Sequence, residues 1–205
     1  MNSTKQYGFY VDTSTCSGCK TCMIACKDRN DMDLGILWRR VYEYAGGGFV
    51  ENGDDTYTQN VYAYNVSVGC NHCSEPVCVK ACPTGAMHKR RSDGFVLVEQ
   101  SMCIGCESCA RACPYDAPQL DAARKVMTKC DGCYDRVEKG LKPICVDSCT
   151  HRALEFGLIE DLRAKYGDNA DVKPLPDSGI TSPNWVVKAH KNENQGARII
   201  NVREI

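Results

Sequence analysis

Cys103-Ile104-Gly105-Cys106-Glu107-Ser108-Cys109-Ala110-Arg111-Ala112-Cys113-Pro114 has the spacing C-x2-C-x2-C-x3-C-P. That spacing holds a [4Fe-4S] cubane in bacterial ferredoxins. Three thiolates from one tight loop reach three irons, and Gly105 lets the loop take positive φ and turn backbone N–H groups toward the sulfurs. Cys113 lies four residues past Cys109, about 6 Å further along a short helix, and so reaches a second cluster. A run of this kind therefore implies a partner run.

Three more groups are present. Cys16, Cys19, Cys22 and Cys26 repeat the spacing with Gly18 in the place of Gly105, and Lys27 replaces the proline. Without that proline the helix begun near Cys22 can continue to about Asn30. Cys70, Cys73, Cys78 and Cys82 form a run widened to C-x2-C-x4-C-x3-C-P, with Pro76 in the enlarged loop and His72 where glycine stands elsewhere. His72 is expected as an exposed loop residue, ahead of a sulfur donor or a proton shuttle. Cys130, Cys133, Cys145 and Cys149 complete the set as C-x2-C-x11-C-x3-C. Alone that last group would also suit a zinc knuckle, but beside three ferredoxin runs the cubane is the better reading. All 16 cysteines of the 205-residue chain fall into these groups.

Cysteine this dense means disulfides or metal ligation, and disulfide scaffolds belong to secreted chains. Met1 to Gly8 shows no apolar run and no paired arginines, hence no signal peptide of its own. No window approaches the ~18 apolar residues of a membrane helix. The formal net charge of −1 counts thiols as neutral, whereas four clusters would add on the order of −8 to −12. Lys27, Arg29, Lys80, Arg111 and Lys129 lie near the groups, with solvated surface charge the plainer role for each. No basic run is long enough for nucleic acid.

Crossing of the fourth ligands sets the pairing. The two middle groups exchange theirs, giving quartets Cys70, Cys73, Cys78, Cys113 and Cys103, Cys106, Cys109, Cys82. The outer groups pair as Cys16, Cys19, Cys22, Cys149 and Cys130, Cys133, Cys145, Cys26. Four [4Fe-4S] clusters result, with centres within a unit roughly 10 to 12 Å apart. The fold class is α+β, two ferredoxin-like 2×[4Fe-4S] units with pseudo-twofold symmetry. Residues 1–30 with 120–157 form the outer unit and 70–119 the inner one. Residues 31–69 are an inserted β-hairpin, whose strand-like runs Arg39 to Tyr44 and Val61 to Val68 flank glycines and a turn. A lid over a cluster is its first role and a partner-docking surface its second. Asp93-Gly94 signals a further hairpin between the middle groups, and Tyr134 to Gly140 reads as a short helix stopped by glycine. Residues 158–205 are a C-terminal helix, stopped by Gly167, and an extended partner-docking tail, either disordered or wrapped on another subunit.

Tyr7-Gly8-Phe9 ahead of the first group, Cys70-Asn71-His72-Cys73, Cys82-Pro83-Thr84-Gly85-Ala86 and Lys129-Cys130-Asp131-Gly132-Cys133 resemble the iron-sulfur subunit of the dimethyl sulfoxide reductase family, over residues 7 to about 190. The resemblance is strongest to enterobacterial members. It implies a non-catalytic electron-transfer subunit within a heterotrimer. There it would relay electrons from a quinol-oxidising integral membrane anchor subunit to a molybdopterin catalytic subunit that reduces dimethyl sulfoxide or other S-/N-oxides in anaerobic respiration. Nitrate reductase relatives carry tryptophan at the position of Cys106 and a [3Fe-4S] centre, so cysteine here implies four cubanes. In that family a twin-arginine signal is carried on the catalytic subunit. The present protein would then lie peripherally on the bacterial inner membrane, on the periplasmic face, after co-export. Tetrathionate, polysulfide, selenate and formate enzymes use similar subunits and remain alternatives, as does a free polyferredoxin.

Overall fold

A computed structural model of the chain describes residues 5–193 and 195–205. Met1 to Thr4, part of the stretch read as lacking an export signal, lie outside the described residues. The chain opens on β1 (Tyr7–Asp12), whose aromatic and β-branched side chains suit a strand covered on both faces. Phe9 and Val11 point into the main core, while Tyr10 packs against a helix on the other side. The first cysteine loop leads into α1 (Thr21–Arg29), which ends at Asn30 as the missing proline suggested.

The insertion is a two-stage hairpin. β2 (Arg40–Gly46), β3 (Phe49–Glu51), β4 (Tyr57–Gln59) and β5 (Tyr62–Val68) follow in order. β2 and β5 pair antiparallel from Arg40↔Val68 to Gly46↔Tyr62, and β3 and β4 form the tip. Tyr44, Tyr64 and Val66 are buried on one face of the stem and Val41 and Ser67 on the other, whereas every residue of β3 and β4 is exposed.

The two middle groups follow: α2 (Val77–Lys80), β6 (Met87–Lys89), β7 (Val96–Val98) and α3 (Ser108–Ala112), with β6 and β7 paired as the hairpin expected from Asp93-Gly94. Tyr115 to Pro118 stays out of helix. A second hairpin, β8 (Gln119–Asp121) with β9 (Val126–Thr128), has no counterpart among the sequence expectations; Asp121-Ala122-Ala123-Arg124 lacks glycine or proline at its turn, and an Arg124–Asp121 ion pair of 2.6 Å closes it instead. Then come α4 (Tyr134–Val137), with Gly140 at φ 74° beyond it, and α5 (Ile144–Asp147). β10 (Leu154–Leu158) runs directly into α6 (Ile159–Tyr166), which stops at Gly167.

The tail differs from its expectation. It is not extended away from the body: β11 (Trp185–Lys188) lies parallel to β1, and β12 (Arg198–Ile199) pairs antiparallel with β2. The main sheet thus runs β10-β1-β11, with the first strand in the middle. Trp185, Val186 and Val187 are buried, and the Trp185 indole N–H donates to the Ala170 carbonyl at 2.8 Å. Apolar burial and a strand edge on β1 therefore hold a segment whose prolines and polar residues suggest otherwise. Gly8 makes this approach possible, because a Cβ there would lie 2.5 Å from the Asn184 carbonyl oxygen. Among the described residues no helix is long and apolar enough to cross a membrane.

Candidate metal centres

The four cysteine loops share one backbone device. The residue two after the first cysteine takes positive φ in every group: Gly18 at 74°, His72 at 44°, Gly105 at 65° and Gly132 at 74°. That turn aims peptide N–H groups inward, where they donate to sulfur. The Gly132 N–H reaches Cys130 Sγ at 3.4 Å, and the N–H groups of Met127 and Met87 reach Cys103 Sγ and Cys82 Sγ at 3.2 and 3.4 Å. At Gly105 a Cβ would also run into the carbonyl oxygen of Lys125.

The third and fourth cysteines of each group sit on or at the end of one short helix, and these helices pack in two pairs, α1 on α5 and α2 on α3. Packing brings each fourth cysteine to the loop of the other group. Cys70, Cys73, Cys78 and Cys113 line one cavity of about 360 Å³, counted out to its mouth, whose remaining wall includes Pro76, Val77, Val96 and Ala117. Cys16, Cys19, Cys22 and Cys149 line another of about 310 Å³, walled by Val41 and Ser67 of the hairpin stem. Cys26 lies in the field of Cys145 and Cys133, and Cys130 in that of Cys26. Cys109 lies in the field of Cys82 and Cys103, and Cys106 in that of Cys82.

These thiols are poor nucleophiles. Burial pushes Cys73, Cys78 and Cys26 up to about 12 and Cys16 and Cys109 up to about 11, and it holds Cys130, Cys133, Cys145 and Cys113 up as well. Three thiols go the other way: exposed Cys19 to about 7, chiefly through the Thr21 hydroxyl, which donates to its sulfur at 3.3 Å, Cys106 through the Ser108 hydroxyl, and Cys82, against its burial, through the Met87 N–H. A thiol kept protonated by apolar surroundings is inert until a metal displaces its proton. No disulfide joins any of the sixteen. Among the described residues no three His, Cys, Asp or Glu side chains converge as ligands of a single ion do; a cubane asks for a different arrangement, with each thiolate on its own iron around a bulky inorganic core. All-sulfur donor sets around small cavities with few other polar groups, and peptide N–H groups turned onto the sulfurs, suit that core.

Quartets neighbour one another in a definite order. Cys22 and Cys26 are successive on α1, Cys130 lies in the field of Cys70, and Cys78 and Cys82 are successive around α2. Least covered are Cys19 at one end and the Cys106 loop at the other.

Two side chains lie elsewhere than the sequence suggests. His72 is not an exposed loop residue: it is buried at 1 % exposure, its ring against Phe95 at 4.9 Å. Its Nδ1 accepts the Val96 N–H at 3.0 Å, and burial drives its pKa well down, so the ring is neutral. Filling the left-handed position with a ring rather than glycine is what draws it inward. Lys129 is likewise buried rather than solvated. Of the other cations, Arg29 pairs with Asp135, Lys80 pairs with Glu75, Arg111 donates to the Cys106 carbonyl at 2.9 Å and Lys27 caps the carbonyls of Asp33 and Ile36. Arg39, buried beside Cys145, escapes sequence reading altogether, since nothing in a strand-like run marks an arginine as facing inward.

A family model described as a 4Fe-4S dicluster domain matches residues 61–159, and one described as a 4Fe-4S binding domain matches residues 13–33. Over 187 residues the protein is 56% identical to the anaerobic dimethyl sulfoxide reductase chain designated B in Haemophilus influenzae, covering 91% of each. Over 189 residues it is 56% identical to the protein of that name in Escherichia coli K12, covering 92% of this sequence and 91% of that one. The sulfite dehydrogenase subunit designated B in Allochromatium vinosum is 38% identical over 168 residues, covering 76% of this sequence and 70% of its own length. Four cysteine groups folded as crossed helix pairs, together with identity of this extent along nearly the whole length, make this protein a member of the family of anaerobic dimethyl sulfoxide reductase iron-sulfur subunits.

Proposed function

We propose that this protein holds four [4Fe-4S] clusters and relays electrons from a quinol-oxidising membrane anchor to a molybdopterin catalytic subunit that reduces dimethyl sulfoxide or other S-/N-oxides. The observation that carries it is the gathering of all sixteen cysteines into four groups on two packed helix pairs, buried or half-buried apart from exposed Cys19. We assign the ligands as Cys16, Cys19, Cys22 and Cys149; Cys26, Cys130, Cys133 and Cys145; Cys70, Cys73, Cys78 and Cys113; and Cys82, Cys103, Cys106 and Cys109, in that spatial order. Each pair of groups then makes one ferredoxin-like unit. When bound, the clusters supply one-electron carriers spaced for hopping.

The protein's own part is to hold thiolates, aim N–H dipoles at sulfur and keep water out. The hairpin stem does the last for the first quartet, where the Ser67 hydroxyl also lies 3.4 Å from Cys22 Sγ. Exposed Met102, Ile104 and Leu120 surround the Cys106 end, and this apolar face suits the membrane anchor, leaving the Cys19 end for the catalytic subunit. The protein would lie peripherally on the inner membrane within a heterotrimer, on the periplasmic face if co-exported with a twin-arginine partner.

Metal analysis of the complex drawn from anaerobic membranes by a tag on this protein tests the reading. Roughly sixteen irons attributable to this subunit, with molybdenum and a large partner chain, are expected. Iron without molybdenum or partner would favour a free polyferredoxin, and zinc would sink both readings.

A further inference from the structure

Two cations are buried between neighbouring quartets without a carboxylate in ion-pair contact, although Asp131 lies within the field of Lys129. Arg39 is 4 % exposed and Lys129 3 %, and neither forms an ion pair among the described residues. Arg39 Nη1 donates to Ser67 Oγ at 3.1 Å, and its guanidinium lies over the Phe9 ring at 5.1 Å and reaches the Cys145 sulfur. Ser67 in turn touches Cys22 Sγ. Lys129 Nζ donates to the carbonyls of Val96 and Cys130. Burial alone would strip such groups of their charge or make them prohibitively costly. Their places are set by geometry: Ser67, which holds Arg39, touches Cys22 Sγ while the guanidinium lies beside Cys145, and Lys129 adjoins Cys130 and lines the cavity of Cys70, Cys73, Cys78 and Cys113.

The thiols named for the two cations overlap in one quartet. Arg39 stands between the Cys16 and Cys130 quartets, and Lys129 between the Cys130 and Cys70 quartets. The junction between the Cys70 and Cys103 quartets has no comparable cation among the described residues: Arg111 sits exposed on a backbone carbonyl, and Lys89, though partly buried, is tied to the carbonyls of His72, Cys73 and Gly94 beside the Cys70 quartet alone.

We propose that Arg39 and Lys129 are potential-setting cations, each raising the reduction potentials of the two clusters it separates, with the Cys130 quartet raised by both and the Cys103 quartet by neither. This rests on the ligand assignment proposed above. The physics is direct: accepting an electron adds one negative charge to a cluster, and a fixed positive charge in a poorly screened interior stabilises that product more than the starting state. Neither cation exchanges an electron or a proton. Both act through the field they impose, and the negative charge of the flanking clusters is their counter-charge.

The test is an EPR-monitored redox titration of the whole complex in membranes, comparing Arg39→Gln and Lys129→Gln with the parent. Arg39→Gln is expected to shift two clusters to lower potential, and Lys129→Gln two, with one cluster common to both and one moved by neither. A shift of tenfold or more in the reduced-to-oxidised ratio at fixed potential is expected, ~59 mV for a one-electron couple. Arg39→Lys and Lys129→Arg keep the charge and are expected to leave the potentials near those of the parent; any residual shift falls on the same clusters. Should the uncharged variants not load their clusters, this conservative pair still decides, because a shift at the cluster expected to be indifferent overturns the proposal. In Arg39→Gln and Lys129→Gln, four unmoved potentials or an equal displacement of all four overturns it as well. Iron content of the parent complex separates the two failures: fewer than about sixteen irons breaks the ligand assignment, whereas full iron with unmoved potentials breaks this inference alone.

Discussion

Replacing Trp185 with alanine asks whether the returning tail belongs to the core or waits for a partner. The indole is 2 % exposed, packs in the cluster of side chains that includes Phe9, Val11, Cys22 and Cys149, and donates its N–H to the Ala170 carbonyl at 2.8 Å. Truncating a buried tryptophan costs about 3–5 kcal/mol, and the carbonyl left without its donor adds about 1. A loss of ~4–6 kcal/mol is comparable with the whole stability of an ordinary domain. Trp185→Phe keeps most of the packing and gives up the hydrogen bond, for about 1–2 kcal/mol. Iron-sulfur proteins lose their metal irreversibly, so the readout is the rate at which cluster absorbance bleaches on mild heating. Bleaching roughly 10³-fold faster for alanine and about tenfold faster for phenylalanine is expected if these contacts form late in folding. Alanine bleaching within twofold of the parent would refute the reasoning, since a segment removable at no cost is not part of the core.

Three further outcomes are expected. Gly105→Ala forces a side chain into the left-handed region at φ 65° and against the Lys125 carbonyl; a loss of at least ~1–2 kcal/mol and selective loss of iron from one site, read by EPR, are expected, and a full iron complement would contradict this. At position 72, where φ is 44° and an acceptor meets the Val96 N–H, His72→Asn is expected to be tolerated better than His72→Val by about 1–3 kcal/mol, and equal bleaching rates would contradict it. Tyr10 is pushed up to about 12, first by burial and then by the neighbouring Asp12 carboxylate. A raised phenol stabilises the fold fully below its unfolded pKa of about 10 and loses that contribution as pH rises toward 12. Tyr10→Phe should therefore flatten the stability profile between those values, and an unchanged slope in denaturation at stepped pH would count against it.

The cysteine spacing makes the pairing of α1 with α5 and of α2 with α3 legible, because each C-x3-C segment puts its last two cysteines on or beside one short helix. Strand β1, the extent of α1 and the hairpin at Asp93-Gly94 are also readable, each having a local cause in aromatic composition, an absent proline or a turn dipeptide. What escapes notice depends on distant partners. Trp185-Val186-Val187 is too short to declare a strand amid prolines, and only β1 supplies its edge. His72, Arg39 and Lys129 look like ordinary polar residues, and what makes them exceptional is the set of sulfurs and carbonyls that closes over them. Charge burial is invisible in one dimension because it is decided by what the rest of the molecule brings.

The strand order β10-β1-β11 has a consequence for how the protein is made. β1 leaves the ribosome well before its two neighbours, residues 154–158 and 185–188. For most of synthesis it therefore presents two unpaired edges lined with tyrosine and phenylalanine, a template for wrong pairing. Meanwhile Cys16 to Cys26 wait for Cys145 and Cys149, open to oxidation. Residues 7–29 thus complete their packing only once residues 144–188 have been made, and a frameshift near residue 185 would do its damage at residue 9.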